Sequence, residues 1–126
     1  MLQEGIRLFN AGRYWDAHEA WERAWVPLPK GSAERNFYQG LILLAAAFLH
    51  RERATRTPKR STQPALRCYR TAVERLSGLP DRFLGLDVAG LRAAARDCFE
   101  PLEEGADPAS LPPAPRLAAD VANGEP

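Results

Sequence analysis

At 126 residues, of which 45% are hydrophobic and 26% charged, the chain is long enough for one compact core and too short for two. A formal net charge of +1 removes any global electrostatic argument for nucleic-acid or membrane surfaces, leaving only local patches to carry such a role. The longest apolar run, Gly40 to Leu49, is about half of the roughly 20 residues that cross a bilayer, and the first residues lack the order of a signal peptide, so a cytoplasmic protein is expected.

A first short helix is predicted from Leu2 to about Asn10, because Leu2, Ile6 and Phe9 recur at helical spacing and Gly12 supplies a stop. The second runs from Arg13 to Val26. A rotation of about 100° per residue puts Tyr14, His18, Trp21 and Trp25 in one stripe, flanked by Ala17 and Ala24, and Pro27 and Pro29 end the helix. Gly31 makes a turn and Ser32 an N-cap for the third helix, Glu34 to Arg51, whose residues from Phe37 to Leu49 leave almost no polar face. A helix apolar all round belongs at the centre of a domain. Strand competes for such a run, but its length and the consecutive Ala45, Ala46 and Ala47 favour helix.

The stretch from Arg51 to Thr62 is basic and contains Pro58, which reads as a helix end and an exposed loop. A fourth helix carries Pro64 in its first turn and Leu66, Tyr69, Val73 and Leu76 on one face; Gly78 and Pro80 terminate it. Asp87 caps a fifth helix in which Val88, Leu91, Ala95, Cys98 and Leu102 trace one stripe and Pro101 forces a late bend or an end. Beyond Gly105, Pro108, Pro112, Pro113 and Pro115 with few large apolar residues describe an extended or disordered tail. The expectation is an all-α, single-domain bundle of about five helices around a central apolar helix, with residues 1–104 forming the domain and 105–126 a Pro-rich tail. No strand is called for. Cys68 and Cys98 have neither the number of a disulfide framework nor the spacing of a zinc site, and are expected to be reduced, partly buried thiols. Lysine occurs only at Lys30 and Lys59, an arginine bias that coding composition explains more readily than function.

Two resemblances emerge. Gly12, Tyr14, Ala17, Trp21, Ala24 and Pro29 resemble the second helix and closing proline of a tetratricopeptide helix pair, but no second copy follows at the repeat length of about 34 residues, so a repeat array is not expected. The run from Phe9 to Glu22, then Trp25, then Gln39-Gly40-Leu41-Ile42 leading to Ala45-Ala46-Ala47 and His50, resembles the family called domain of unknown function 309. The carriers are a His-Glu-x-x-Glu core at His18 to Glu22 and the Gln-Gly-Leu-Ile opening on the next helix; the step Gly85-Leu86-Asp87 is similar too. This resemblance implies an α-helical fold of about five helices and no established reaction. The chain departs from it after His50, where Arg53 to Arg60 stand in place of an Asn-centred turn.

His18 falls within the aromatic stripe, with Glu22 one turn further along the same side. A buried polar group needs partners, so the first reading is a hydrogen-bonded pair, tied to each other or to Gln39, that sets the register of two helices. The second reading is a divalent transition-metal site, since imidazole and carboxylate at i and i+4 point the same way, which would make the protein a metal-dependent hydrolase using His18 and Glu22. A zincin motif needs histidine where Glu22 stands, Glu19 is expected to be solvated or paired with Arg23, and His50 lies about 16 Å along the helix from Gln39. Such a site lacks a fourth group, and no other cofactor is implied. No Ser/His/Asp or Cys/His arrangement and no phosphate-cradling glycine loop is present, Gly31 and Gly40 being isolated.

The basic residues Arg51, Arg53, Arg56, Lys59, Arg60, Arg67 and Arg70 read as a solvated segment attracted to Glu100, Glu103, Glu104 and Asp107 of the same chain. A phosphate-rich partner is disfavoured, because interleaved aromatics are missing apart from Tyr69. The concentration of Trp15, Trp21 and Trp25 in one helix, with Trp15 off the centre of the stripe and expected to stay exposed, instead favours a non-enzymatic helical module that binds a protein partner or small ligand beside the aromatic stripe, or pairs as a homodimer.

Overall fold

A computed structural model describes residues 1–57 and 59–120. Its helices are α1 (Leu2–Asn10), α2 (Tyr14–Trp25), α3 (Ala33–Arg56), α4 (Gln63–Ser77) and α5 (Val88–Glu103); a short hairpin of β1 (Arg82–Phe83) and β2 (Leu86–Asp87) precedes α5, and a 3-10 turn, Pro108–Ser110, follows it. The all-α expectation holds. No helix among the described residues is long and apolar enough to cross a membrane.

Local chemistry explains the helix boundaries. Gly12, at φ +77°, closes α1: the Arg13 and Gly12 amides donate to the carbonyls of Leu8 and Phe9, which turns the chain straight into α2. The Ser32 hydroxyl accepts from the Arg35 amide and the Asp87 carboxylate from the Gly90 amide, so both predicted caps are made. α3 runs five residues past the expected end at Arg51, to Arg56, because nothing before Thr57 breaks the helix. Arg53 and Arg56 are therefore helical rather than part of a loop.

α3 is the central element, packed on α2 along one side and α4 along the other. An aromatic chain crosses the interior: Phe9 meets Tyr14 at 5.2 Å and Phe48 at 5.6 Å, Phe48 meets Phe99 at 4.8 Å, and Phe99 stacks on Tyr69 at 5.1 Å. Gly40 allows the closest approach of α4, since a Cβ there would occupy the space of the Leu76 side chain. This is a physical reason for glycine in the Gln-Gly-Leu-Ile segment. On α4 the core face is Leu66, Tyr69, Ala72 and Leu76; Val73, expected on it, is 37% exposed, because the smaller Ala72 is the residue that lets α3 and α4 close together.

The hairpin was not expected. Two-residue strands carry no alternation from which to read them, and this pair is made by its turn, where Leu84 (φ +49°) and Gly85 (φ +81°) both take the left-handed conformation that matches strand twist. Leucine is poorly suited to that conformation. Leu84→Asn is therefore expected to raise stability by about 1 kcal/mol, read as a higher urea midpoint at unchanged slope; no gain would mean that the turn is unstrained. After α5 the chain runs extended, as its prolines dictate, but it does not leave the domain: Leu117 is 5% exposed and the Asn10 carboxamide holds its backbone. Residues 121–126, the end of the expected tail, lie outside the described residues.

Candidate functional site on helix α2

The inward face of α2 is Ala17, Ala20 and Trp21, each without exposure, where α1 and α3 press against the helix. This is a rotation away from the expected stripe of Tyr14, His18, Trp21 and Trp25. The physical cause is that two neighbouring helices approach α2 on its alanines, which pushes His18 from the middle of the core face to its edge, with a side chain 21% exposed. The outer face consequently carries Trp15, His18, Glu19, Glu22 and Val26, all within about 100° of rotation.

On that face the Trp15 indole, 56% exposed, stacks on the His18 imidazole with centroids 5.0 Å apart and planes 9° from parallel. His18 Nε2 lies 3.5 Å from Glu22 Oε2, and Nδ1 is buried with no hydrogen-bond partner among the described residues. Gln39 is half-buried on α3 and does not supply that partner. The predicted His18–Glu22 juxtaposition is thus present, while the third member, Gln39, is not joined to it. Arg23 pairs with Glu4 of α1 at 2.7 Å, which leaves Glu19 exposed, the first of the two alternatives expected for it.

The three tryptophans have three different surroundings. Trp21 is wholly buried, its Nε1 donating to the Leu2 carbonyl at 3.2 Å, so it presents no surface to a partner and the expectation that it would is corrected. Trp25 is half-buried beneath Arg35, whose guanidinium carbon lies 4.0 Å from the ring centroid. Trp15 alone of the three is largely exposed.

Residues 2–60 match the family model for a domain of unknown function, DUF309. The DUF309 match runs from α1 to just past the end of α3, and so takes in His18, Glu22, Gln39 and Gly40. No curated protein matches the chain. Within the DUF309 segment, the described residues contain no group of three or more His, Cys, Asp and Glu side chains able to hold a metal ion. Catalytic zinc ordinarily takes three protein ligands, and His18 with Glu22 provides two. His50, in the same segment, is held below the ordinary imidazole range by burial and then by Arg53, Arg60 and Arg67. Burial pushes both thiols, Cys68 and Cys98, above their usual range, the reverse of what an activated nucleophile requires.

Sequence reasoning missed the arginines that cap main-chain carbonyls. Arg35 donates to the carbonyls of Leu28 at 2.7 Å and Trp25 at 3.3 Å, Arg92 to that of Leu76 at 2.8 Å, and Arg51 to that of Pro112 at 2.8 Å. Arg51 is therefore spent inside the molecule rather than on a basic surface, and Arg70 pairs with Glu103 at 3.2 Å, as the opposite charge of the C-terminal region led us to expect. One signal was available for Arg35: a cation in the first turn of a helix opposes the helix dipole and needs another reason to be there.

Proposed function

We propose that this chain is a non-enzymatic protein-binding module that engages its partner through the outer face of α2. The observation that carries this reading is the exposed Trp15 lying flat on His18. Stacking holds the indole in one orientation before any partner arrives, which lowers the entropic cost of using it as an anchor. Glu19 and Glu22 beside it and Val26 at the far end define the complementary surface: a segment with an apolar anchor and basic side chains, able to place a cation on the indole face.

Cross-linking from position 19 in cells, followed by native mass measurement of the purified complex, tests the assignment. Wild-type protein is expected to retain a partner, Trp15→Ala to lose it while keeping its stability within about 1 kcal/mol, and Arg75→Ala, at an exposed position on α4, to keep it. Recovery of the wild-type chain only as a free monomer would sink the proposal. The His18→Leu variant separates a packing role from a chemical one: it replaces a buried, unpartnered nitrogen by carbon, so stability should change by less than about 1 kcal/mol, with partner binding reduced through the loosened Trp15.

A further inference from the structure

After the 3-10 turn the chain first meets Arg51 and Cys98 through the carbonyls of Pro112 and Pro113, and residues 115–120 then lie in a groove between α1 and the hairpin, whose hydrogen bonds go mainly to their backbone. Asn10 Nδ2 donates to the Leu117 carbonyl at 2.8 Å while Asn10 Oδ1 accepts from the Leu117 amide at 2.8 Å, so one carboxamide reads both main-chain groups of a single residue. Gln3 donates to the Ala119 carbonyl at 3.0 Å, and the Asp120 amide donates to the Gly85 carbonyl at 2.8 Å, extending the hairpin edge by an antiparallel bridge between Leu86 and Ala119. Gly85 makes this approach possible, since a Cβ there would collide with the Asp120 backbone. Side chains are read at Leu117, which is buried, at Leu111, Ala114 and Ala119, which pack half-buried against the core, and at Asp120, which pairs with Arg82 at 2.7 Å.

The segment does not fill the groove. Cavities of about 320 Å³ and 480 Å³ flank it, the first toward Leu91 of α5 and the second toward Ile6 of α1, and Arg116, Leu117 and Ala118 line both. Recognition directed at backbone tolerates many sequences, and the addition of an extended peptide to an exposed strand edge is a recurrent mode of peptide binding. None of these contacts involves the outer face of α2, so the inference stands independently of the function proposed above.

We propose that the groove bounded by Gln3 and Asn10 of α1 and by the Gly85–Leu86 edge is a binding site for an extended peptide of a partner protein, with the chain's own residues 111–120 as its resident, autoinhibitory occupant. The partner segment carries a branched apolar residue in the place of Leu117 and a carboxylate three positions later, to meet Arg82. Its apparent affinity is set by the fraction of molecules whose own segment has lifted out.

The test uses the full chain and a fluorescent peptide with the sequence of residues 111–120. Leu117→Ala, which weakens the resident segment, is expected to bind the peptide at least tenfold more tightly than wild-type does, and adding Asn10→Ala should abolish the gain. A peptide with Asp in the Leu117 position should not bind. Equal binding by wild-type and Leu117→Ala, or by the two peptides, overturns the proposal. Hydrogen exchange on the wild-type chain gives a reading that needs no variant: the amides of Leu117 and Asp120 should exchange at least a hundredfold faster than those in the middle of α3, whereas exchange only with global unfolding would show that the segment never lifts. A native dimer that excludes the peptide would assign the groove to the segment of a second copy and would likewise overturn the partner reading.

Discussion

Trp21→Ala is expected to destabilise the domain by about 3–5 kcal/mol, a large part of the roughly 5–15 kcal/mol that holds a typical domain together. The side chain has no exposure, its ring lies 6.1 Å from that of Phe9, and its Nε1 donates to the Leu2 carbonyl, so truncation opens a cavity and removes the bond that ties α2 to the start of α1. Urea unfolding followed by circular dichroism measures the loss; a change below about 1 kcal/mol would mean that α1 and α2 do not meet as described. The same contact makes a reciprocal prediction. Gly5 lies directly against the indole, and a Cβ there would overlap it, so Gly5→Ala should also destabilise, by about 1–3 kcal/mol, even though alanine is the better helix former.

The second large effect is expected at Arg35. Its guanidinium satisfies carbonyls at the end of α2 and in the following turn and covers the Trp25 ring, joining α2 to the first turn of α3 through one side chain. The Trp25 carbonyl otherwise accepts only from the Leu28 amide at 3.1 Å and the Leu28 carbonyl lies outside any helix, and a hydrogen bond from a charged donor contributes about 1.5–3 kcal/mol. Arg35→Ala should therefore lower stability by about 2–3 kcal/mol, and Arg35→Lys should recover little of it, because an ammonium cannot stack on the indole while donating in a fixed fork. Thermal unfolding of the three proteins decides the point: a lysine variant as stable as wild-type would show that charge alone matters.

Much of the candidate site was legible in the amino-acid sequence. The i, i+4 spacing of His18 and Glu22 sets them on one side of any helix, and they do lie within 3.5 Å. Exposure was legible at Trp15 and not along the rest of the helix. Tyr14, Trp21 and Trp25 gave the apolar stripe its direction, yet the helix turns its alanines inward, since close packing of α1 and α3 rewards small residues as strongly as hydrophobicity rewards large ones. Trp15, which the pattern placed off the stripe, became the exposed aromatic, and Trp21, grouped with it as partner-facing, became core.

Most of what is written in local chemistry could be read from the chain: five helices from apolar periodicity, the Ser32 and Asp87 caps, the turn at Gly12 and the central place of α3, though not the Leu84–Gly85 hairpin. Periodicity and capping act over a few residues, so a single sequence displays them. Tertiary packing was needed to settle which way α2 faces, that Arg35, Arg51 and Arg92 close main-chain ends, and that a proline-rich segment is docked against the domain. Each of these depends on atoms meeting from distant places, as when the carboxamide of Asn10 reads the backbone of a residue 107 positions away. Main-chain groups are the same at every residue, and for that reason a site made to grip them leaves no pattern in the segment that it holds.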